Sequence, residues 1–176
     1  FDIDASEIGK TLPTSVGVVG DIKLGVEKLI PMVQQKTHAQ WMRRLEELRD
    51  NHPSLKIRKT PKLLPQYILQ KISQITESQA IIVTGVGQHQ MWAAQHCTFE
   101  EPGTLITSGG LGTMGFEVPA AMGAKVARPD KVVWSIAGDG GFQMTLSELA
   151  TIAENKIDVK FAILNNNFLG MVRQWQ

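Results

Sequence analysis

A single cysteine, no apolar run of membrane-spanning length and no excess of charge of either sign remove several classes of protein from consideration. Cys97 has no second cysteine with which to form an intrachain disulfide, which favours a reducing compartment. No supporting motif surrounds it, so it reads as a buried, inert thiol rather than a nucleophile. Lys plus Arg number 18 against 17 Asp plus Glu, a formal charge of +1, and this gives no footprint for nucleic acid. Lys56, Arg58, Lys59 and Lys62 form the one notable basic cluster, best explained as a solvated linker. Repeats and low-complexity tracts are also missing, and the apolar share of 43% is that of an ordinary globular protein. The chain starts at Phe1 without an initiator Met, so an internal piece of a longer protein is expected. Cytoplasmic location is the expectation for a prokaryotic source, with organellar import left open.

The residues that carry chemistry begin with Gly138-Asp139-Gly140 and, after a helix-length interval, Asn165-Asn166. Apolar runs at Val132 to Ala137 and Val159 to Leu164 lead into these two points. Between them, Leu146, Leu149, Ile152 and Ala153 predict a helix over Thr145 to Asn155. In a parallel strand–helix–strand unit both strand ends open on one edge, so Asp139 and Asn166 converge. One carboxylate and one amide oxygen suit a hard cation such as Mg²⁺, which shares its ligand shell with phosphate oxygens. Gly138, Gly140 and Gly141 allow the backbone to approach an anion closely. A lone GDG is far more often a tight turn; the asparagine pair shifts the balance toward a metal diphosphate.

The remaining segments supply the frame. Val16 to Val19 predicts a short buried strand, Gly20-Asp21 a turn, and Ile22 to Ile30 an amphipathic helix whose free amides Asp21 would cap. His38 to Asp50 predicts an exposed helix, and Pro53, Pro61 and Pro65 mark a connector. Leu64 to Ile75 predicts a further helix and Ala80 to Thr84 a buried strand that turns at Gly85-Val86-Gly87. Gln88 and His89 then stand where an amide and an imidazole could donate to phosphate. Thr107 to Gly115 holds four glycines in nine positions, material for a loop pressed against a ligand. Pro119 begins a helix over Ala120 to Ala127, stopped by Arg128-Pro129.

Four stretches, Val86 to Trp92 (VGQHQMW), Thr107 to Gly115 (TSGGLGTMG), the GDG…NN pair and Leu169 to Gln176 (LGMVRQWQ), resemble the acetolactate synthase (acetohydroxyacid synthase) family of thiamine-diphosphate (ThDP) enzymes. The resemblance covers nearly the whole chain and implies an α/β fold. It places a parallel-sheet ThDP-binding domain of the pyrimidine/pyrophosphate type, incomplete, at 62–176. A connector occupies 36–61, and the tail of a Rossmann-like, FAD-associated middle domain occupies 1–35.

By the same resemblance Val86, Gly87, Gln88, His89, Gly112, Met114, Gly138, Asp139, Gly140, Gly141, Asn166, Phe168, Gly170, Met171 and Val172 contact ThDP. Asp139, Asn166 and the carbonyl of Phe168 hold Mg²⁺, and Asp2, Ile3, Gly20, Asp21 and Ile22 line an FAD surface. Met114 is the apolar wedge beneath the folded cofactor, and Trp175 selects the second substrate. The implied reaction is decarboxylating carboligation of pyruvate with a second 2-keto acid, pyruvate or 2-ketobutyrate, in branched-chain amino-acid biosynthesis. Its products are 2-acetolactate or 2-aceto-2-hydroxybutyrate. The Glu that activates the cofactor comes, in this family, from the N-terminal domain of a neighbouring subunit. The isolated chain is therefore expected to be inactive and its parent a homodimer or homotetramer, with a small regulatory subunit as an optional partner.

Other readings are a pyruvate oxidase or glyoxylate carboligase type of ThDP enzyme, a noncatalytic Mg-diphosphate-binding homologue, and a structural α/β module that binds nothing. One departure from the family is Glu117, where a small residue is usual. Its carboxylate either favours the helix start or opposes a bound diphosphate.

Overall fold

The chain divides into two units, Phe1–Ser54 and Leu55–Gln176, and the computed structural model describes residues 1–53 and 55–176. In the first unit an isolated parallel bridge joins Asp2 to Val19. Asp4 accepts the Ser6 amide at 2.8 Å to cap a short 3₁₀ turn, Ala5–Glu7. Asp21 accepts the Leu24 amide at 3.1 Å and caps helix α1, Ile22–Leu29. α1 gives way to the 3₁₀ turn Ile30–Met32, where Pro31 stands in the first turn and its missing N–H loses no intrahelical bond. Helix α2, Ala39–Asn51, follows. The buried strand expected at Val16 to Val19 is not present. Only the bridge to Asp2 forms and Val16 is 80% exposed, because among the described residues of this unit no second strand covers that run.

The second unit is built on a parallel sheet of Ile81–Thr84 (β1), Leu105–Thr107 (β2), Val133–Gly138 (β3) and Lys160–Leu164 (β4), in the order β2-β1-β3-β4. Helices α3 (Pro65–Ile75) and α4 (Gln88–His96) precede and follow β1. Helix α5 (Glu117–Ala127) precedes β3, and α6 (Asp139–Met144) and α7 (Glu148–Glu154) lie between β3 and β4. A last helix, α8, spans Gly170–Trp175.

The strand alternation divides the core in two. Ile82 and Ile136 point to one face of the sheet, against Leu69 and Ile72 of α3 and Ala93 of α4. Ile81, Val83 and Val133 point to the other, against Ala121 of α5. β1 is buried along its whole length, which is why it reads as an unbroken apolar run rather than an alternating one. After β2 the chain crosses over β1 to lay down β3, so the direction of strand addition reverses between β1 and β3. In open parallel sheets a crevice forms at such a reversal, outside the carboxyl ends of the strands.

Two helices depart from expectation. The helix predicted over Thr145 to Asn155 is present as α7, shortened to Glu148–Glu154, and a separate helix that was not expected, α6, precedes it over Asp139–Met144. The break falls where the Thr145 hydroxyl donates to the Gly115 carbonyl at 3.0 Å, fastening the turn to the glycine-rich loop instead of prolonging the helix. α5 starts at Glu117, before Pro119, since a proline in the first turn has no intrahelical bond to lose. The short edge strand β2, in front of the glycine-rich loop, had no sequence signal strong enough to anticipate it.

Candidate cofactor site at the ends of β1 and β3

The turn after β1, Gly85-Val86-Gly87, delivers Gln88 and His89 as the first residues of α4. His89 is buried, and its ring packs so closely on the turn after β3 that a Cβ on Gly138 would lie 3.1 Å from it. Burial lowers its pKa to about 4, against the opposing pull of the Asp139 carboxylate. His89 is therefore a neutral imidazole near pH 7, with Nε2 lacking any partner. It retains one N–H with which to donate.

The turn after β4 closes on itself and on α4. Asn166 Oδ1 accepts the Phe168 amide at 2.9 Å, and Asn165 Oδ1 accepts the Asn167 amide at 3.0 Å. Asn167 takes a left-handed conformation, φ 59°, which asparagine tolerates better than most residues. The Asn166 amide donates to Gln88 Oε1 at 3.4 Å, while Gln88 Nε2 donates to Gln174 of α8 at 3.0 Å. Arg173 stacks over the Phe168 ring at 4.0 Å. These contacts tie the turns after β1 and β4 together without using Asp139.

A cleft of about 330 Å³ opens between these turns. Val86, Gly87, Gln88, His89, Gly112, Met114, Gly138, Asp139, Gly140, Gly141, Asn166, Phe168, Gly170, Met171, Val172 and Trp175 all line it. Every residue that the resemblance assigns to ThDP thus meets the others at one place. Trp92, Leu164 and Leu169 also line it and were not singled out, although Trp92 and Leu169 belong to the quoted stretches. The residues expected to line an FAD surface lie instead in the Phe1–Ser54 unit, where Gly20 donates to the Asp2 carbonyl at 2.9 Å and Asp21 caps α1. Glu117 is not among the lining residues. It is fully buried behind them, so its carboxyl group neither faces the cleft nor sits at an exposed helix end.

Charge decides what the cleft can hold. Asp139 is the sole charged side chain in the lining, which has no Lys or Arg. Among the described residues no group of three or more His, Cys, Asp or Glu could hold a metal ion alone. A polyanion therefore needs a cation to enter, and a cation needs oxygen ligands from the anion. The donors present, a carboxylate, an amide oxygen and backbone carbonyls, are the hard oxygen set that Mg²⁺ takes when phosphate completes its shell.

Comparison with known proteins points to a thiamine-diphosphate domain. Over its full length the chain is similar to acetolactate synthase of Mycobacterium leprae, at 48% identity over 99% of this chain and 29% of that protein. It is also similar to the chloroplastic acetolactate synthase 1 of Nicotiana tabacum, at 45% identity over 100% of this chain and 27% of that protein. With the mitochondrial acetolactate synthase catalytic subunit of Saccharomyces cerevisiae it shares 42% identity over 100% of this chain and 26% of that protein. The chain thus spans less than a third of the length of these relatives. No described helix is long and apolar enough to cross a membrane. Residues 85–176, which contain the whole cleft, match the family described as "Thiamine pyrophosphate enzyme, C-terminal TPP binding domain", and the chain belongs to that family.

Proposed function

We propose that the cleft holds the diphosphate of ThDP through Mg²⁺, and that the complete protein is an acetolactate synthase joining pyruvate to a second 2-keto acid, pyruvate or 2-ketobutyrate. The observation that carries this reading is the solitary charge of Asp139 in a lining without Lys or Arg, which suits a metal-bridged anion and not a bare one. Asp139, Asn166 and the Phe168 carbonyl would hold the metal. Gln88 and neutral His89 would donate to phosphate oxygen, and Met114 would support the cofactor from its apolar side. Bound ThDP supplies the electron sink that makes loss of CO₂ from a 2-keto acid and carbon–carbon bond formation accessible.

The chain's own residues position and shield that chemistry. Leu164, Leu169, Val172 and Trp175 give the cleft an apolar wall against which the reacting atoms would lie. The GQHQMW and LGMVRQWQ stretches support this activity over a pyruvate oxidase or glyoxylate carboligase type. FAD would bind with a structural role at Asp2, Ile3, Gly20, Asp21 and Ile22, and the parent would assemble at least as a dimer. The test is ThDP binding by the complete protein with Mg²⁺ and with a chelator, followed by product analysis after feeding pyruvate. Chelator-sensitive binding with acetolactate as product is expected. Binding indifferent to the chelator would overturn the metal-bridged site, and a product other than a 2-acetohydroxy acid would overturn the activity.

A further inference from the structure

Glu117 opens α5 and is, among the described residues, the one buried acidic side chain, at 0% exposure. Neither of its carboxylate oxygens has a hydrogen-bond partner. The carboxyl group occupies a space that exists only because residues 85 and 141 lack side chains. A Cβ on Gly85 would stand 2.2 Å from Oε2, and one on Gly141 would stand 2.9 Å from Oε1. Gly85 begins the turn that carries Gln88 and His89, whereas Gly141 lies in α6 beside Asp139 and Gly140. The carboxyl group is therefore wedged beneath both walls of the cleft. In that place a neutral acid fits. A carboxylate would be a buried charge without a counterion, and it could recover water only if the two turns moved apart.

We propose that Glu117 is a proton-linked positioning residue: as the neutral acid it fixes the spacing of the turns after β1 and β3, and on losing its proton it separates them and weakens cofactor retention. This rests on the ThDP reading of the cleft. Burial raises the pKa of Glu117, while the amides of Gly115 and of Glu117 itself pull more weakly the other way without reaching hydrogen-bond geometry. The titratable groups on the elements around it are Asp139 of α6, Glu148 and Glu154 of α7, His89 and His96 of α4 and Lys125 of α5 itself, and none of them contributes to that shift. β1 and β3 carry none. Because the closed spacing belongs to the neutral acid, cofactor binding and proton uptake reinforce each other.

The experiment measures ThDP affinity of the complete protein at saturating Mg²⁺ as a function of pH, across the range in which protein and cofactor are stable, with Glu117→Gln as the reference that carries every titration except that of residue 117. For the parent, affinity should fall by up to about tenfold per pH unit once Glu117 ionises. Glu117→Gln, which keeps the shape but cannot ionise, should lack that fall. Calorimetry of the parent in buffers of different ionisation enthalpy gives a second reading that needs no variant. It should show proton uptake rising toward one per site. Equal pH slopes in parent and variant, or binding without proton uptake, would overturn the inference and leave the ThDP reading intact. Absence of ThDP binding by the parent at every pH would overturn both.

Discussion

Asp139→Ala in the complete protein removes the only charge in the cleft lining, and metal-dependent ThDP retention should go with it. The loss should exceed the roughly 10–100-fold that removal of an outer-shell metal partner costs. Asn166→Ala should cost less, since a neutral donor is lost and its oxygen already serves the Phe168 amide. Titration of ThDP against each variant with and without Mg²⁺ checks both, and a folded Asp139→Ala protein with parental affinity would refute the metal role. Cys97 allows a prediction of another kind. Its thiol is buried near the Leu69 carbonyl at 3.7 Å, and burial raises its pKa from 9.0 to about 11. A thiol reagent at pH about 8 should leave it untouched in the native protein and label it on unfolding. Because the folded pKa is the higher one, the stability linked to this group is complete below 9.0 and is lost as pH rises through about 11.

At the scale of elements, α8 places Trp175 at the rim of the cleft, 79% exposed, where it could meet an incoming substrate. One methylene in an apolar pocket is worth about 1–3 kcal/mol, enough to decide between pyruvate and 2-ketobutyrate. Trp175→Leu should lower the share of product from 2-ketobutyrate when both acids are supplied together, while pyruvate still condenses with itself. An unchanged product ratio would exclude Trp175 from selection. What could be read in advance followed the strength of local signals. Buried β1 and β3 and the amphipathic α3 appear within a residue of their expected bounds, because apolar runs bounded by glycine or proline are hard to mistake. The split of α6 from α7 was not legible, since it depends on a hydroxyl reaching a carbonyl 30 positions away. Nor was the setting of Glu117. Its burial depends on two glycines, one before it and one after it in sequence, that only the folded sheet brings together.

For the whole molecule, the residues matched to the two proposed cofactors divide between its two units. ThDP belongs with the sheet of the Leu55–Gln176 unit, whereas the residues matched to FAD lie in the Phe1–Ser54 unit. Asp21 already has a task in capping α1, which explains its presence without any ligand. Purification of the complete protein distinguishes the two readings. We expect flavin absorbance to copurify, although the proposed reaction has no net redox change. Full activity in protein and buffer free of flavin would leave Asp21 as a cap alone.

The strand order also governs when the cleft can come into being. β1 pairs with β3 from Ile81 to Val133 through Thr84 to Ile136, and β3 in turn pairs with β4. During synthesis β1 emerges first and can zip to β2, but its other edge waits until α5 and β3 have left the ribosome. Asn166 arrives later still. An unpaired apolar edge is prone to the wrong partner for as long as it waits. A ligand that clasps the ends of β1, β3 and β4 at once would draw the finished sheet out of that hazard by mass action. On this reading, thiamine scarcity would thin the population of folded molecules before it slowed the turnover of those that remained.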